Sequence, residues 1–334
     1  MNVFSLVLGI LCLVIVIVDL LWTTLWVEGG AGPLTSWLMA GTWSVLRRVG
    51  GRNSRLLTLS GPVILVLSLA SWIALLWAGW TLLFASAENT LLDTVNGRSI
   101  SWSDLVYYTG YTIFTLGNGD FIPQGSIWQI VTTLASASGM LFITLSVTYV
   151  LSVLGAVTQK HSFATTVSGL GMQGTEILQT SWDGEAFQGL EVPLNTVSTQ
   201  LNMLTSNHKA YPILHYFYSG RSAQAPTTSI AVLDNALTLL QFAVDERSRP
   251  NAILMNEGRA SVESYLETVG SAYIEPADRS PPVPEIETLR DVGIPTVSDE
   301  EYLASMADMT ERRRILLGLI ESDLREWPTQ RESA

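Results

Sequence analysis

The run Thr115-Leu-Gly-Asn-Gly-Asp120, here called the glycine-rich segment, has the residue types and spacing that could bind cations. Selecting a dehydrated cation requires rings of carbonyl oxygens that point at a common axis, and an ordinary extended strand alternates its carbonyls. Gly117 and Gly119 can adopt left-handed φ angles, so that successive carbonyls face one way, and Thr115 adds a hydroxyl. Because one strand cannot surround an ion, we expect four chains to converge.

A short helix is predicted immediately before this segment. Ser101 or Ser103 can cap the helix, and Asp104 lies in its first turn. The apolar and aromatic residues from there to Phe114 are too few to span a bilayer, so we expect a re-entrant helix that is buried in protein or lines water. Its negative C-terminal end would face the cations and favour them.

Three apolar runs, at about 3–27, 59–84 and 127–157, are long enough to cross a membrane. The first run has no basic n-region and no cleavage site, so it predicts a retained helix rather than a signal peptide. Residues 34–46 are predicted to form an interfacial helix on the inner leaflet or an extension of the helix bundle.

Charges in the loops predict the orientation. The loop between the first two runs carries four arginines, Arg47, Arg48, Arg52 and Arg55. The loop between the second and third runs carries one arginine and four acids, Arg98 against Glu88, Asp93, Asp104 and Asp120. The positive-inside rule places the arginines in the cytosol, with the N-terminus and the glycine-rich segment outside and the C-terminal half inside. The predicted location is therefore the cell (inner) membrane, as a multi-pass protein.

Residues 101–157 resemble the pore helix, filter and inner helix of the potassium-channel family, whose Thr-Val-Gly-Tyr-Gly-Asp filter corresponds to the glycine-rich segment. The resemblance implies an α-helical membrane protein with a tetrameric pore made of an outer helix, a re-entrant pore helix with its filter, and an inner helix. An extra N-terminal transmembrane helix and a mainly α-helical cytosolic domain complete the expected fold. The implied ion-binding filter residues are Thr115, Leu116, Gly117, Asn118 and Gly119. The implied partners are three further copies of the chain and the lipid bilayer.

The same resemblance assigns supporting roles. Tyr107 and Tyr108 match a pair of aromatic residues around the filter, and Asp120 is expected to hydrogen-bond to Tyr107 and restrain the filter. Helical spacing predicts one face of the inner helix that lines the cavity and gates it, made of Gly139, Ile143, Val147, Leu151 and Gly155. Members of the family often have a hinge glycine at the position of Gly139. Ordinary helix packing is the alternative interpretation of this face.

Asn118 departs from the family, which usually has Tyr or Phe at this position to pack behind the filter. A short polar side chain loses that packing, so the selectivity is open. We favour a potassium-permeable channel, and the alternative is a weakly selective or non-selective cation channel that also passes sodium. No cofactor other than the permeant cation is expected.

Asp19 is an acidic residue inside the first apolar run. One hypothesis makes Asp19 a carboxylate of the ion pathway or gate. The favoured hypothesis makes it a helix–helix contact, paired with an arginine of the following loop. No apolar run carries Lys or Arg at every third residue, so no voltage sensor is predicted.

The C-terminal half is polar and acidic, since residues 158–334 contain 13 Lys and Arg against 24 Asp and Glu. This charge excludes nucleic acid as an expected partner, because phosphate binding requires a basic face. The predicted divisions of the chain are 1–58, a pore domain 59–157, a helical domain 158–274, a proline-rich linker 275–297 and a C-terminal helix 298–334. Helices are predicted near 173–182, 187–206, 227–246, 256–269 and 299–326.

Two further patterns in this half carry weaker predictions. Gly169-Leu-Gly-Met-Gln-Gly174 fits a dinucleotide-binding fingerprint, but no hydrophobic strand precedes it, so we predict a flexible turn. His208 and His215 are predicted to pack in an aromatic cluster rather than to bind a metal. No pattern of nucleophile, base and acid stands out, so no enzymatic activity is expected. A membrane-anchored sensor or enzyme stays as the alternative of another class, and an unidentified cytosolic ligand stays open.

Overall fold

The structure is a computed structural model that describes residues 2–27, 29–50 and 54–328. Three of the described helices are long and apolar enough to cross a membrane, namely Val3–Leu25, Leu56–Phe84 and Gly125–Leu170. Each overlaps one of the apolar runs in the sequence. Arg52, one of the arginines behind the predicted orientation, lies outside the described residues, as does the side chain of Arg55.

The described residues pack as two units. The first unit is drawn from Met1–Val45, Gly61–Leu154 and Ala210–Tyr216, and the second from Leu46–Ser60, Gly155–Lys209 and Phe217–Ala334. The helices of the N-terminal half are α1 (Val3–Leu25), α2 (Pro33–Gly50), α3 (Ser54–Thr58), α4 (Ser60–Phe84), α5 (Trp102–Ile113) and α6 (Gly125–Leu170). Two strands, β1 (Leu91–Asp93) and β2 (Phe121–Pro123), pair between α4 and α6.

Helix α1 runs antiparallel to α4 within the first unit. At its start, the backbone N–H of Asn2 donates to the carbonyl of Ser86 at 2.6 Å, just past the end of α4. About two turns further, Gly9 lies so close to Gly79 that an added Cβ would come within 2.9 Å of the Gly79 carbonyl oxygen. Small residues allow membrane helices to approach closely, and this pair brings the two backbones together.

The carboxylate of Asp19 holds α1 to both α2 and α4. It accepts hydrogen bonds from the backbone N–H of Leu34 at 2.8 Å, from the N–H and hydroxyl of Thr35, and from Trp72 Nε1 at 2.8 Å. Leu34 and Thr35 are in the first turn of α2, whose N–H groups have no partner within the helix. The predicted contact between helices is present, and the partners of the carboxylate among the described residues are these donors rather than an arginine.

Helix α6 is longer than the sequence indicates. The apolar run ends near Val157, but the helix continues without a break to Leu170 and includes Gly169. The extension is stabilised by burial, because Phe163 and Val167 belong to the hydrophobic core of the second unit. The glycine-rich fingerprint at 169–174 therefore begins inside a helix rather than in a flexible turn.

The second unit is a bundle around α9, whose side chains from Pro226 to Leu240 are all buried. Its other helices are α7 (Gly174–Ser181), α8 (Glu191–Ala210), α10 (Ala252–Tyr273), α11 (Glu287–Arg290), α12 (Asp299–Asp308) and α13 (Thr310–Ser322). Short 3-10 turns lie at Gln188–Leu190, Pro212–Tyr216, Ser222–Gln224 and Glu246–Ser248. The prediction of one helix over 299–326 is wrong, because the chain breaks at Met309 between α12 and α13.

The proline-rich stretch 275–297 is an ordered strap on the second unit. Its apolar side chains Ile286, Leu289 and Ile294 are buried in the core. The Arg313 guanidinium, also buried, donates to the carbonyl of Pro282 at 2.6 Å. Prolines have no N–H, so this segment has few backbone donors to pair with its own carbonyls. The Arg313 guanidinium supplies a donor instead.

The first prediction concerns Asp19. Replacing Asp19 with Ala leaves the Trp72 indole and the first N–H groups of α2 without acceptors, at a cost of about 3 kcal/mol or more. We expect a clear fall in the melting temperature of the detergent-solubilised protein, measured by size-exclusion chromatography after heating. Val18→Ala, at an exposed neighbouring position, is the control and should change the melting temperature little. Equal melting curves for the two variants would contradict this role.

Candidate functional site

The glycine-rich segment lies between the end of α5 and strand β2. Strands β1 and β2 pair antiparallel, with Leu92 opposite Ile122. This small sheet ties the chain that follows α4 to the chain that follows the segment. Both ends of the segment are therefore attached to regular structure, α5 on one side and the sheet on the other.

The start of α5 is fixed by a capping box. The Ser101 hydroxyl accepts the N–H of Asp104, and the Asp104 carboxylate accepts the N–H of Ser101 at 2.9 Å. Hydrogen bonds from the Ser101 hydroxyl and N–H hold the pKa of Asp104 below its ordinary value. Arg98 bridges Asp104 and Asp93, with N···O distances of 3.3 and 3.1 Å. Of the two predicted capping serines, the structure therefore uses Ser101.

The body of α5 is packed against α4 and α6. Trp77 Nε1 of α4 donates to the carbonyl of Val106 at 2.9 Å, and its ring lies against Gly110. The hydroxyl of Tyr108 is 2.5 Å from the hydroxyl of Thr132 on α6. These polar contacts on both sides place the C-terminal end of α5 next to the glycine-rich segment.

The backbone φ angle changes sign from one residue of the segment to the next. Thr115, Gly117 and Gly119 have φ angles of 57°, 59° and 82°, whereas Leu116 and Asn118 do not have positive φ. Alternation of this kind allows successive carbonyls to face one side, which is what the two glycines were expected to permit. The left-handed Thr115 was not predicted, because nothing in its residue type indicates it. Its strain of about 1 kcal/mol is offset by the turn in which its N–H donates to the Thr112 carbonyl at 3.1 Å.

A chain of side-chain hydrogen bonds lies beside the segment. Asn118 Nδ2 donates to the hydroxyl of Tyr107 at 2.6 Å, and that hydroxyl donates to Asp120 Oδ2 at 3.0 Å. The expected bond between Asp120 and Tyr107 is thus present. The Asn118 side chain thus makes a hydrogen bond to Tyr107, a contact that the loss of aromatic packing at this position did not predict.

Thr94 and Tyr111 are two supporting residues that sequence reasoning missed. The Thr94 hydroxyl donates to the carbonyls of Gly119 and Asp120, each at 2.9 Å. The Tyr111 hydroxyl donates to the carbonyl of Phe121 at 2.8 Å, and burial raises the pKa of Tyr111 to about 12. The Gly119 carbonyl therefore has a protein donor already. Neither residue belongs to a pattern that could have indicated these contacts from sequence.

The predicted residues of the inner helix fall into two groups. Ile143, Val147, Leu151 and Gly155 are all exposed on the single chain, on one face of α6. Gly139 is instead buried, and a Cβ at this position would overlap the carbonyl of Ile113, the last residue of α5. Gly139 therefore seats α6 on the end of α5, a role that sequence reasoning did not assign to it.

Comparisons with known proteins place the part of the chain that carries this segment in a family. Residues 64–156 match a family model described as an ion channel, and the match contains α5, the glycine-rich segment and the first part of α6. The chain is 42% identical over 333 residues to a protein of Bacillus subtilis (strain 168) named "Uncharacterized membrane protein YdjJ". That alignment covers 100% of this chain and 98% of the relative. No solved structure matches the chain.

The second prediction tests the seat of α6 on α5. Gly139→Ala should destabilise the protein by about 1–3 kcal/mol, because the added methyl group forces α6 away from Ile113. Gly155→Ala is the matched control on the same helix, since no described atom lies within 4 Å of a Cβ there. The control should keep or raise the melting temperature, because alanine favours helix. A Gly139→Ala protein as stable as the control would show that the two helices are not in close contact.

Proposed function

The chain belongs to the ion-channel family that its residues 64–156 match, the family of pores built like those of potassium channels, and on that premise we propose that it forms a tetrameric potassium-permeable channel. The observation that carries the proposal is the alternating backbone of the glycine-rich segment, which can align carbonyl oxygens toward a cation. The segment is exposed on the single chain, with Leu116 at 67%. Four copies around an axis would complete the ion sites that one copy leaves open.

Conduction in this arrangement is passive. A cation sheds water as carbonyl oxygens replace its hydration shell, and the C-terminal end of α5, negative by its helix dipole, favours the cation beyond the segment. We infer that α5 is the re-entrant pore helix and that α6 lines the cavity with Ile143, Val147 and Leu151. These three side chains are apolar and exposed on the single chain, as the wall of a shared cavity would be.

The proposed orientation rests on the arginines near the end of α2 and on the antiparallel course of α1 and α4. Because Asn2 lies at Ser86, the start of α1 is at the same end of the bundle as the chain that leads to the glycine-rich segment. An outward-facing segment then places the N-terminus outside. Arg47 and Arg48, in the last turn of α2, would lie on the cytosolic side together with the second unit.

Potassium is favoured over sodium by the bracing of the segment. Asn118 and Asp120 are both tied to the Tyr107 hydroxyl, and Thr94 holds the carbonyls at the far end. A braced ring resists collapse around the smaller sodium ion. A weakly selective channel is the second candidate, because the Asn118 amide is smaller than the Tyr or Phe side chain of the family and leaves the segment without an aromatic wall.

The third prediction tests conduction. Gly117→Ala should lower the flux of potassium into proteoliposomes at least about tenfold, because a Cβ disfavours the left-handed φ on which the carbonyl alignment depends. Gly97→Ala is the matched control. Gly97 has a φ of 62° against 59° for Gly117, and both have open space around them, but Gly97 lies in the turn after β1.

The control should conduct as the unchanged protein does, since it carries the same backbone strain outside the segment. Equal loss of flux in both variants would refute the assignment of the segment. Purified protein that is monomeric and passes no cation would favour the membrane-anchored sensor or enzyme instead. Four-fold symmetry in electron micrographs would exclude that alternative.

The fourth prediction tests selectivity. Tyr107→Phe removes the hydroxyl that joins Asn118 to Asp120, so the potassium-to-sodium permeability ratio should fall several-fold. The ratio is measured from reversal potentials in planar bilayers with potassium on one side and sodium on the other. Tyr108→Phe is the control, because the hydroxyl of Tyr108 bonds to Thr132 and not to the segment. An unchanged ratio in Tyr107→Phe would show that the bracing does not set selectivity.

A further inference from the structure

One surface of the second unit is free of charge in an otherwise acidic part of the chain. The first half of this surface is the end of α6. Between Asp120 and Glu176 the sequence contains a single Asp, Glu, Lys or Arg, which is Lys160. Lys160 is buried, and its amine donates to the carbonyl of Phe217 at 3.0 Å. The exposed residues of α6 within the second unit, from Gly155 to Leu170, are Gly155, Thr158, Gln159, Ser162, Thr165 and Gly169.

Helix α8 supplies the second half of the surface. From Val192 to Asn207 it has no Asp, Glu, Lys or Arg, and the charged residues Glu191 and Lys209 lie only at its two ends. Its outward positions are small polar or apolar residues at helical spacing, namely Val192, Asn195, Thr196, Thr199, Asn202, Met203 and Ser206. Val192 and Met203, the apolar members of this set, are 76% and 46% exposed.

The two halves are neighbours. Asn207 Nδ2 of α8 donates to Gln159 Oε1 of α6 at 2.6 Å. Below this bond the helices share the same core, with Val167 of α6 next to Leu194 and Val197 of α8. The helices therefore run antiparallel side by side, and we call their exposed residues the uncharged face.

Helices α10 and α12 of the same unit have exposed charges. Helix α12 exposes three acidic residues in its first turn, Asp299, Glu300 and Glu301. Helix α10 exposes Glu263 and Glu267. With a net charge of −11 over residues 158–334, copies of this unit repel one another through most of their surface. The uncharged face is where that repulsion is weakest and where no ion has to be desolvated.

We propose that the uncharged face is the surface through which second units of neighbouring copies of this chain bind one another. The proposal rests on the tetramer of the proposed function and deepens it by locating a contact outside the pore. A second copy fits this face because the apolar stripe Ile143, Val147 and Leu151 continues on the same helix into Gly155, Thr158 and Ser162. Helices that meet around a pore axis bring this continuation together as well.

Cysteine cross-linking tests the proposal directly. The sequence has one cysteine, Cys12, so a Cys12→Ser protein is a clean background. Ser162→Cys on α6 and Met203→Cys on α8 should each give cross-linked dimers and higher species with a short bismaleimide in proteoliposomes. Leu303→Cys is the matched control, an exposed apolar position on the charged helix α12. The control should stay monomeric on a denaturing gel.

A charge substitution gives the second test. Thr199→Glu places a like charge on every copy of the uncharged face, so we expect a several-fold loss of tetramer in native mass spectrometry. Ala304→Glu, on exposed α12, should leave the tetramer unchanged. If the protein is tetrameric and conducts, but neither test separates the uncharged face from α12, the proposal is wrong while the proposed function stands. Monomeric protein without flux would refute both.

Discussion

Hydrocarbon offers no hydrogen bonds, so every polar group in the membrane-spanning part of this protein must find a partner inside the protein. The first unit meets this requirement at the starts of α2 and α5. The Asp19 carboxylate receives the first N–H groups of α2 and the indole of Trp72. The capping box at Ser101 closes the start of α5. These bonds fix the positions of the short helices, and the glycine-rich segment is held between elements that cannot shift independently.

Two kinds of contact act on the segment itself. Backbone alternation at Thr115, Gly117 and Gly119 sets the direction of the carbonyls, and side chains outside the segment restrain it. The Tyr107 hydroxyl restrains the segment by its hydrogen bond to the Asp120 carboxylate, and the Thr94 hydroxyl restrains it by a hydrogen bond to the Gly119 carbonyl. In the proposed channel, the geometry of the ion sites therefore depends on the backbone conformation of five residues and on the side-chain hydrogen bonds around them. No aromatic side chain packs at position 118.

The parts of this structure that were predictable are those governed by local sequence. Long apolar runs predicted the three spanning helices, and Ser101 with Asp104 predicted the start of α5. The prediction failed where long-range packing decides the outcome. The continuation of α6 past the apolar run was not indicated, because burial of Phe163 in a distant core, not hydropathy, maintains the helix there. The partners of Asp19 were missed because the acceptor and its donors lie up to 53 residues apart. Thr94 and the seat of Gly139 on Ile113 depend on tertiary contacts in the same way.

The position of Asp19 has a consequence for biogenesis. During synthesis α1 emerges first, and its carboxylate then has neither the start of α2 nor Trp72 to bind. Insertion of a lone aspartate costs up to about 3 kcal/mol at the centre of a membrane helix and less nearer its end, where Asp19 lies, and the surrounding valines, leucines and isoleucines have to offset it. Release of α1 into lipid as a finished helix is therefore less favourable than its retention near the insertion machinery until α4 arrives. A carboxylate that joins three helices in the finished protein thus also sets the order in which they are assembled.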